Sequence, residues 1–255
     1  MLESISSALA GISLVQLAII ACMALFASIV GGVSGYGTGA LMPLVLVPIL
    51  GPEPVVPIVA TSALFNNTGR ATAFRTAIDW QRVLIVLPIA LPTVVLGAWG
   101  YTMLSGRGAA ILIGTVLMAS VPARRVLRKR GFSLTDRGLG TVSVGFGLMA
   151  GGTSGAGIML LSMLMAAGLQ GTAVIATDAV ISLGVGITKV ATFGFAGVFH
   201  AREIAVAILM GTMAIPGAFV ARALVKKLPV RVHTVILDVV VIAGGTMMIG
   251  AAFVS

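Results

Sequence analysis

A glycine-rich motif occurs twice in this chain, each time inside sequence apolar enough for a membrane. The first copy is Gly31-Gly32-Val33-Ser34-Gly35-Tyr36-Gly37; the second, 120 residues on, is Gly151-Gly152-Thr153-Ser154-Gly155-Ala156-Gly157. Five of the seven positions match, as G-G-x-S-G-x-G. Glycine in a helix interior costs about 1 kcal/mol relative to alanine, so four clustered glycines at membrane depth predict broken backbone. Inside a membrane such backbone is tolerated only where it is buried in protein or lines a water-filled cavity. In transporters, discontinuous helices often form the substrate site.

The membrane assignment rests on composition. The 255 residues are 58% hydrophobic and 9% charged, against about 25% charged in soluble domains. The longest polar stretch, 124–137, is too short for a soluble domain, so the chain is expected to be an all-α, polytopic transmembrane protein. The net charge of +9 sits in short segments between apolar runs, as the positive-inside rule expects, and does not indicate nucleic-acid binding. The N-terminus carries Glu3 and no Lys or Arg, unlike the charged start of a signal peptide. The single cysteine, Cys22, lies in an apolar run; it allows no internal disulfide and suggests no metal, redox site or other cofactor.

The apolar runs cover 12–30, 38–50, 55–74, 83–104, 108–123, 139–150, 156–168, 171–195, 203–223 and 232–254. Crossing the hydrocarbon core takes about 20 helical residues. The third, fourth, eighth, ninth and tenth runs meet that length, the fifth is short, and those flanking the glycine motifs are ambiguous. The duplication extends beyond the motif: Val59-Ala60-Thr61-Ser62-Ala63 echoes Ile175-Ala176-Thr177-Asp178-Ala179, Pro92 echoes Pro216, and Arg107 echoes Arg231. The chain therefore reads as one membrane domain of two homologous repeats, 12–123 and 136–255, joined by the basic linker 124–137.

Loop charges indicate how the repeats are related. If each motif only kinks a spanning helix, the repeats are parallel. Arg75, Arg82, Arg124, Arg125, Arg128, Lys129, Arg130, Arg137 and Arg202 then face Arg107, Arg222, Lys226, Lys227 and Arg231, nine against five. If each motif is the tip of a re-entrant hairpin, the repeats invert. Arg222, Lys226, Lys227 and Arg231 then join the first group and Arg202 leaves it, giving twelve against two. The second partition is the stronger orientation signal and leaves Glu3, Glu53 and Glu203 outside. It favours inverted repeats in the cell membrane with both termini extracytoplasmic. The arms of the second motif, 12 and 13 apolar residues, reach about 18–20 Å, as a half-crossing hairpin would.

Helix N-termini and freed N–H groups at the motifs suit an anion, with hydroxyls from Ser34, Tyr36, Thr38, Thr153 and Ser154. The rival reading is that the glycines serve only close helix packing. Ser62, Asn66 and Arg70 share one helix face at i, i+4, i+8, with Asn67 and Thr68 beside them. Arg70 either faces a functional cavity or snorkels toward Arg75 and Asp79. Asp178, Ser182, Gly186 and Lys189 share a face in the second repeat. Asp178 takes the place of Ser62 there, as a proton-coupling carboxylate, a partner for a cation, or an interfacial residue. The expected substrate-binding set is Gly32, Ser34, Gly35, Tyr36, Gly37, Thr38, Ser62, Asn66, Asn67, Arg70, Gly152, Thr153, Ser154, Gly155, Asp178, Ser182 and Lys189. Asp238 reads as a packing residue, His200 and His233 as run-end residues, and Trp80 as an interfacial anchor.

The doubled motif, Pro43-Leu44-Val45-Leu46 after its first copy, the A-T-S/D-A helices and Ile78-Asp79-Trp80 together resemble the TauE/SafE family of anion transporters over nearly the whole chain. Gly37-Thr38-Gly39 stands where that family commonly has three glycines, and the second copy has Ile158-Met159. The resemblance implies a small sulfur-containing anion: family members are associated with export of sulfite and organosulfonates such as sulfoacetate, and some with uptake. The expectation is a secondary transporter, not an enzyme, with a small anion and the lipid bilayer as partners; a homo-oligomer is left open. No Walker A motif occurs, so ATP hydrolysis is not expected. A passive anion channel is the alternative. An intramembrane serine protease, from Gly152-Thr153-Ser154-Gly155, would need a histidine base facing the serine, with His233 the intramembrane candidate.

Overall fold

The computed structural model describes residues 11–34, 38–129 and 133–224, with 242, 245, 246, 249 and 250 beyond them. Every element longer than one turn among them is helical: α1 (Leu14–Ser34), α2 (Thr38–Leu50), α3 (Val55–Ala73), α4 (Trp80–Thr102), α5 (Gly106–Lys129), α6 (Asp136–Gly152), α7 (Gly157–Ala166), α8 (Thr172–Phe195) and α9 (Ala201–Leu224). A 3-10 turn, Arg75–Ala77, links α3 to α4.

Among the described residues, four segments are long and apolar enough to cross a membrane: Leu14–Gly31, Trp80–Thr102, Thr172–Phe195 and Ala201–Ala221. Two sequence expectations shift. The run before the first motif is a full-length span. The third run, expected to span cleanly, forms the 19-residue α3 but is not among the four, because Asn66, Asn67 and Arg70 load its second half with polar groups. The tenth run lies almost wholly outside the described residues, as do Asp238 and His233. Helix α5 continues to Lys129 and α6 opens at Asp136, so helix occupies much of the stretch read as linker.

The second glycine motif reverses the chain. Thr135 caps α6 by accepting the Gly138 N–H at 3.2 Å. Helix α6 stops at Gly152, Thr153 is extended, and Gly155 turns the chain at φ +96°, in the left-handed region that favours glycine. Helix α7 then returns for 10 residues, about 15 Å, and Leu134 N–H donates to the Ala166 carbonyl at 2.7 Å. The chain leaves beside its point of entry, so α6–α7 is a hairpin. The first motif joins α1 to α2, which pack on one another; Gly35, Tyr36 and Gly37 lie outside the described residues.

Close packing is a second task, carried by other glycines. Helix α6 lies along α4 with so little clearance that a methyl group on Gly151 would strike the Val94 carbonyl oxygen, and one on Gly97 that of Leu148. Within the second motif, Gly155 turns the chain and Gly151 allows the close approach of α6 to α4.

The packing partners cross between the two halves of the chain: α4 lies on α6, and α9 lies on α1. Helix α3 packs on α8 at the centre and runs antiparallel to it: Leu64 faces Gly186, whereas Arg70, further along α3, reaches back to Asp178. Two apolar clusters flank this pair. One is built from α1, α2, the start of α3, α5 and α9, the other from α4, α6, α7 and the first half of α8.

The two ends of the bundle differ in charge. At one, Asp79 N–H donates to Thr177 Oγ1 at 2.9 Å, and Arg82 sits 3.6 Å from Asp79 and 3.7 Å from Asp136; Arg75 and Arg137 lie in the same segments. At the other, the Tyr101 hydroxyl donates to the Pro52 carbonyl at 2.8 Å, Tyr101 meets Phe193 edge-on at 6.0 Å, and Glu53 lies beside the start of α5.

A candidate anion site where two hairpin tips meet

The tip of the α6–α7 hairpin touches the start of α2. A Cβ on Gly39 would lie 2.8 Å from Gly155 N and 3.1 Å from its Cα. Beside this contact is a cavity of about 140 Å³. Its polar wall comes from Thr38 of α2, Asn66, Asn67 and Arg70 of α3, Thr153 and Ser154 of the tip, and Asp178, Ser182 and Lys189 of α8. Helical spacing brings these residues together: Asn66 and Arg70 are one turn apart, and Asp178, Ser182 and Lys189 recur along one stripe. Val59, Ala63, Phe146 and Val185 supply apolar lining.

Two cations and one carboxylate line the cavity among the described residues, and one of the cations is paired with the carboxylate. Arg70 Nη2 donates to Asp178 Oδ2 at 2.8 Å, with side chains only 6% and 2% exposed. Arg70 Nη1 donates to Asn67 Oδ1, and Nη2 also to the Ile175 carbonyl, each at 3.4 Å. Lys189, also buried, donates from Nζ to the Thr153 carbonyl at 2.8 Å. The hydroxyls of Thr38, Thr153 and Ser154 and Arg70 Nε are buried with no hydrogen-bond partner in the protein. Asp178 Oδ1 is buried without a partner as well, and each buried polar group left unmatched costs about 1–3 kcal/mol. Helices α2 and α7 both begin at the cavity, and α7 has no side-chain cap. The Ile158 and Met159 N–H groups turn to the Gly155 and Ala156 carbonyls, and the positive ends of both helix dipoles lie at the cavity.

Ten of the expected site residues line the cavity: Thr38, Asn66, Asn67, Arg70, Thr153, Ser154, Gly155, Asp178, Ser182 and Lys189. Two sit elsewhere. Ser62 turns back to the Val59 carbonyl at 3.0 Å, and Gly152 packs against Gly97. Gly35, Tyr36 and Gly37 lie outside the described residues, as do the side chains at Gly32 and Ser34. Arg70 turns into the cavity rather than toward Arg75. Gly31, Gly39 and Phe146 line the cavity without having been expected to; Gly39 was legible in Gly37-Thr38-Gly39, whereas nothing in the sequence marks Phe146. No histidine lines the cavity among the described residues; His200 is exposed, with its backbone N–H donating to Glu203 Oε2 at 3.0 Å, and His233 lies outside the described residues.

Long apolar helices around a buried cavity lined by Arg70, Lys189, Asp178 and several hydroxyls are the make-up of a multi-pass membrane protein. The chain matches the sulfite exporter TauE/SafE family over residues 20–248 and belongs to that family, whose members are membrane exporters of sulfite and related sulfur anions rather than enzymes. No curated protein and no solved structure matches the chain.

Proposed function

We propose that this protein is a secondary transporter carrying sulfite or a small organosulfonate across the cell membrane by alternating access through the cavity between the hairpin tips. The observation that carries the proposal is the pairing of two buried cations and three unpartnered hydroxyls with a single carboxylate at that point. The anion accepts from Lys189, from Arg70 Nε, from the hydroxyls of Thr38, Thr153 and Ser154, and from the first amides of α2 and α7. Asn66 completes the shell.

The two repeats are inverted in this reading. Helices α3 and α8 carry the matched A-T-S/D-A segments, yet run antiparallel. Equivalent helices can pack antiparallel only about an axis perpendicular to them, hence in the membrane plane. The exchanged pairs α4–α6 and α9–α1 fit the same axis. The basic end carrying Arg75, Arg82 and Arg137 faces the cytoplasm, and both termini lie outside. Access alternates as one repeat moves against the other around the tips.

The test is counterflow of radiolabelled sulfite in proteoliposomes, which a channel does not support. Saturable counterflow is expected. Lys189→Met should weaken sulfite tenfold or more, since a hydrogen bond to a charged group contributes about 1.5–3 kcal/mol. Absence of counterflow, or counterflow indifferent to both Lys189→Met and Ser154→Ala, sinks the proposal.

A further inference from the structure

Among the described residues Asp178 is the one carboxylate lining the cavity, and anion binding alone gives it no task. Its surroundings are specific. From α3 it faces Arg70. On its own helix Ser182 is one turn away, and Lys189 lies about 16 Å further along, turned to the Thr153 carbonyl. From the hairpin tip come only the uncharged Thr153 and Ser154. From the segment before α4, the Asp79 carboxylate is turned to the Arg82 N–H at 3.1 Å, and Arg75 is exposed. Arg70 is thus the one cation paired with Asp178 among the described residues.

An incoming oxyanion and Asp178 compete for that guanidinium. Asn67 holds Nη1, Asp178 and the Ile175 carbonyl hold Nη2, and only Nε has no partner. A bidentate grip on an oxyanion needs two parallel N–H groups, so an anion gripped through Nε and the Nη2 N–H beside it competes with the acceptors now on Nη2, Asp178 Oδ2 among them. The displaced carboxylate stays buried without a cation, a state that proteins resolve by neutralising the group.

We propose that Asp178 is a proton site that loads together with the anion, so that each anion crosses with one proton. The inference rests on the transporter reading above. In the loading step the Arg70–Asp178 ion pair breaks, a proton from water forms an O–H bond on Asp178, and the anion takes the freed guanidinium; no electrons move. The cavity side chains carry two positive charges and one negative when empty, a sum of +1. With a protonated Asp178 and a bound monoanion the sum is again +1. The carrier therefore returns empty with the charge it had when loaded, its guanidinium re-neutralised by Asp178. By reciprocity, proton and anion each tighten the binding of the other.

The experiment uses the full chain in liposomes, potential clamped by potassium and valinomycin, sulfite equal on both sides, and a pH step of one unit. Wild type should accumulate sulfite on the alkaline side about tenfold more than Asp178→Asn, since one pH unit acting on one coupled proton is worth a factor of ten. Asp178→Asn should show counterflow that is slowed and no longer pH-dependent, and Asp178→Glu, which keeps the acid, should restore the excess. Equal accumulation by wild type and Asp178→Asn overturns the coupling while leaving the transporter reading intact. Loss of counterflow in wild type overturns both. If Asp178→Asn does not fold, calorimetry of sulfite binding to wild type in two buffers of different ionisation heat decides. One proton taken up beyond sulfite's own titration supports the site, and none overturns it.

Discussion

Gly39→Ala tests whether contact between the tips shapes the site. The added methyl carbon would stand 2.8 Å from Gly155 N, 3.1 Å from Gly155 Cα and 3.8 Å from Ser154 C. All three are backbone atoms, so no side chain can swing aside. Reaching an ordinary 3.4 Å contact requires the tips to part by about 0.6 Å, the difference between 3.4 and 2.8. Overpacking of this kind costs roughly 1–3 kcal/mol, which a bundle of nine described helices should survive. The separation carries Ser154 and the Thr153 carbonyl away from Arg70 and Lys189 by a similar distance, and misplacement by 1 Å can cost about a hundredfold in rate. About a tenfold fall in sulfite counterflow is therefore expected, from protein that still elutes as a single species in detergent. Gly145→Ala is the control, because that position is exposed with nothing within 4 Å of the new methyl; it should transport within twofold of wild type. If Gly39→Ala also transports within twofold, the contact between the tips does not set the geometry of the site.

Two further outcomes follow from the same contacts. Arg70→Met strands a buried carboxylate and should cost about 3–5 kcal/mol, whereas Arg70→Met combined with Asp178→Leu removes both charges and should recover most of that stability; thermal unfolding of the purified variants checks the pair, and a double variant no more stable than the single would mean that the ion pair is not the cause. In a Cys22→Ala background, a membrane-impermeant maleimide on intact cells should label Ser105→Cys, between α4 and α5, but not Thr76→Cys, before α4; labelling of both from one side would contradict the proposed topology.

What the sequence revealed, and what it hid, follows from the reach of each signal. The glycine motif spoke for broken backbone because four glycines are locally unfavourable in a helix whatever surrounds them. Arg70, Asp178 and Lys189 stood out because charge inside an apolar run is costly and demands a reason. Ser62 was misleading. It shares the helical face of Asn66 and Arg70, but its short hydroxyl satisfies itself on the Val59 carbonyl one turn back, an option open to serine and closed to Asn66 and Arg70. Its counterpart in the second repeat, Asp178, cannot use that local bond, since a carboxylate accepts and does not donate, and so must find a partner across the interface. One repeat position thus became a self-satisfied serine on α3 and a cavity carboxylate on α8. That divergence makes two otherwise matched halves chemically unequal: both cationic walls need a counter-charge when the cavity is empty, and only the second half carries it. An inverted pair with a carboxylate in each half would hold two negative charges against Arg70 and Lys189, leaving no positive excess to attract an anion. In the proposed function, the asymmetry at this single position is what leaves the cavity an excess of positive charge for an anion.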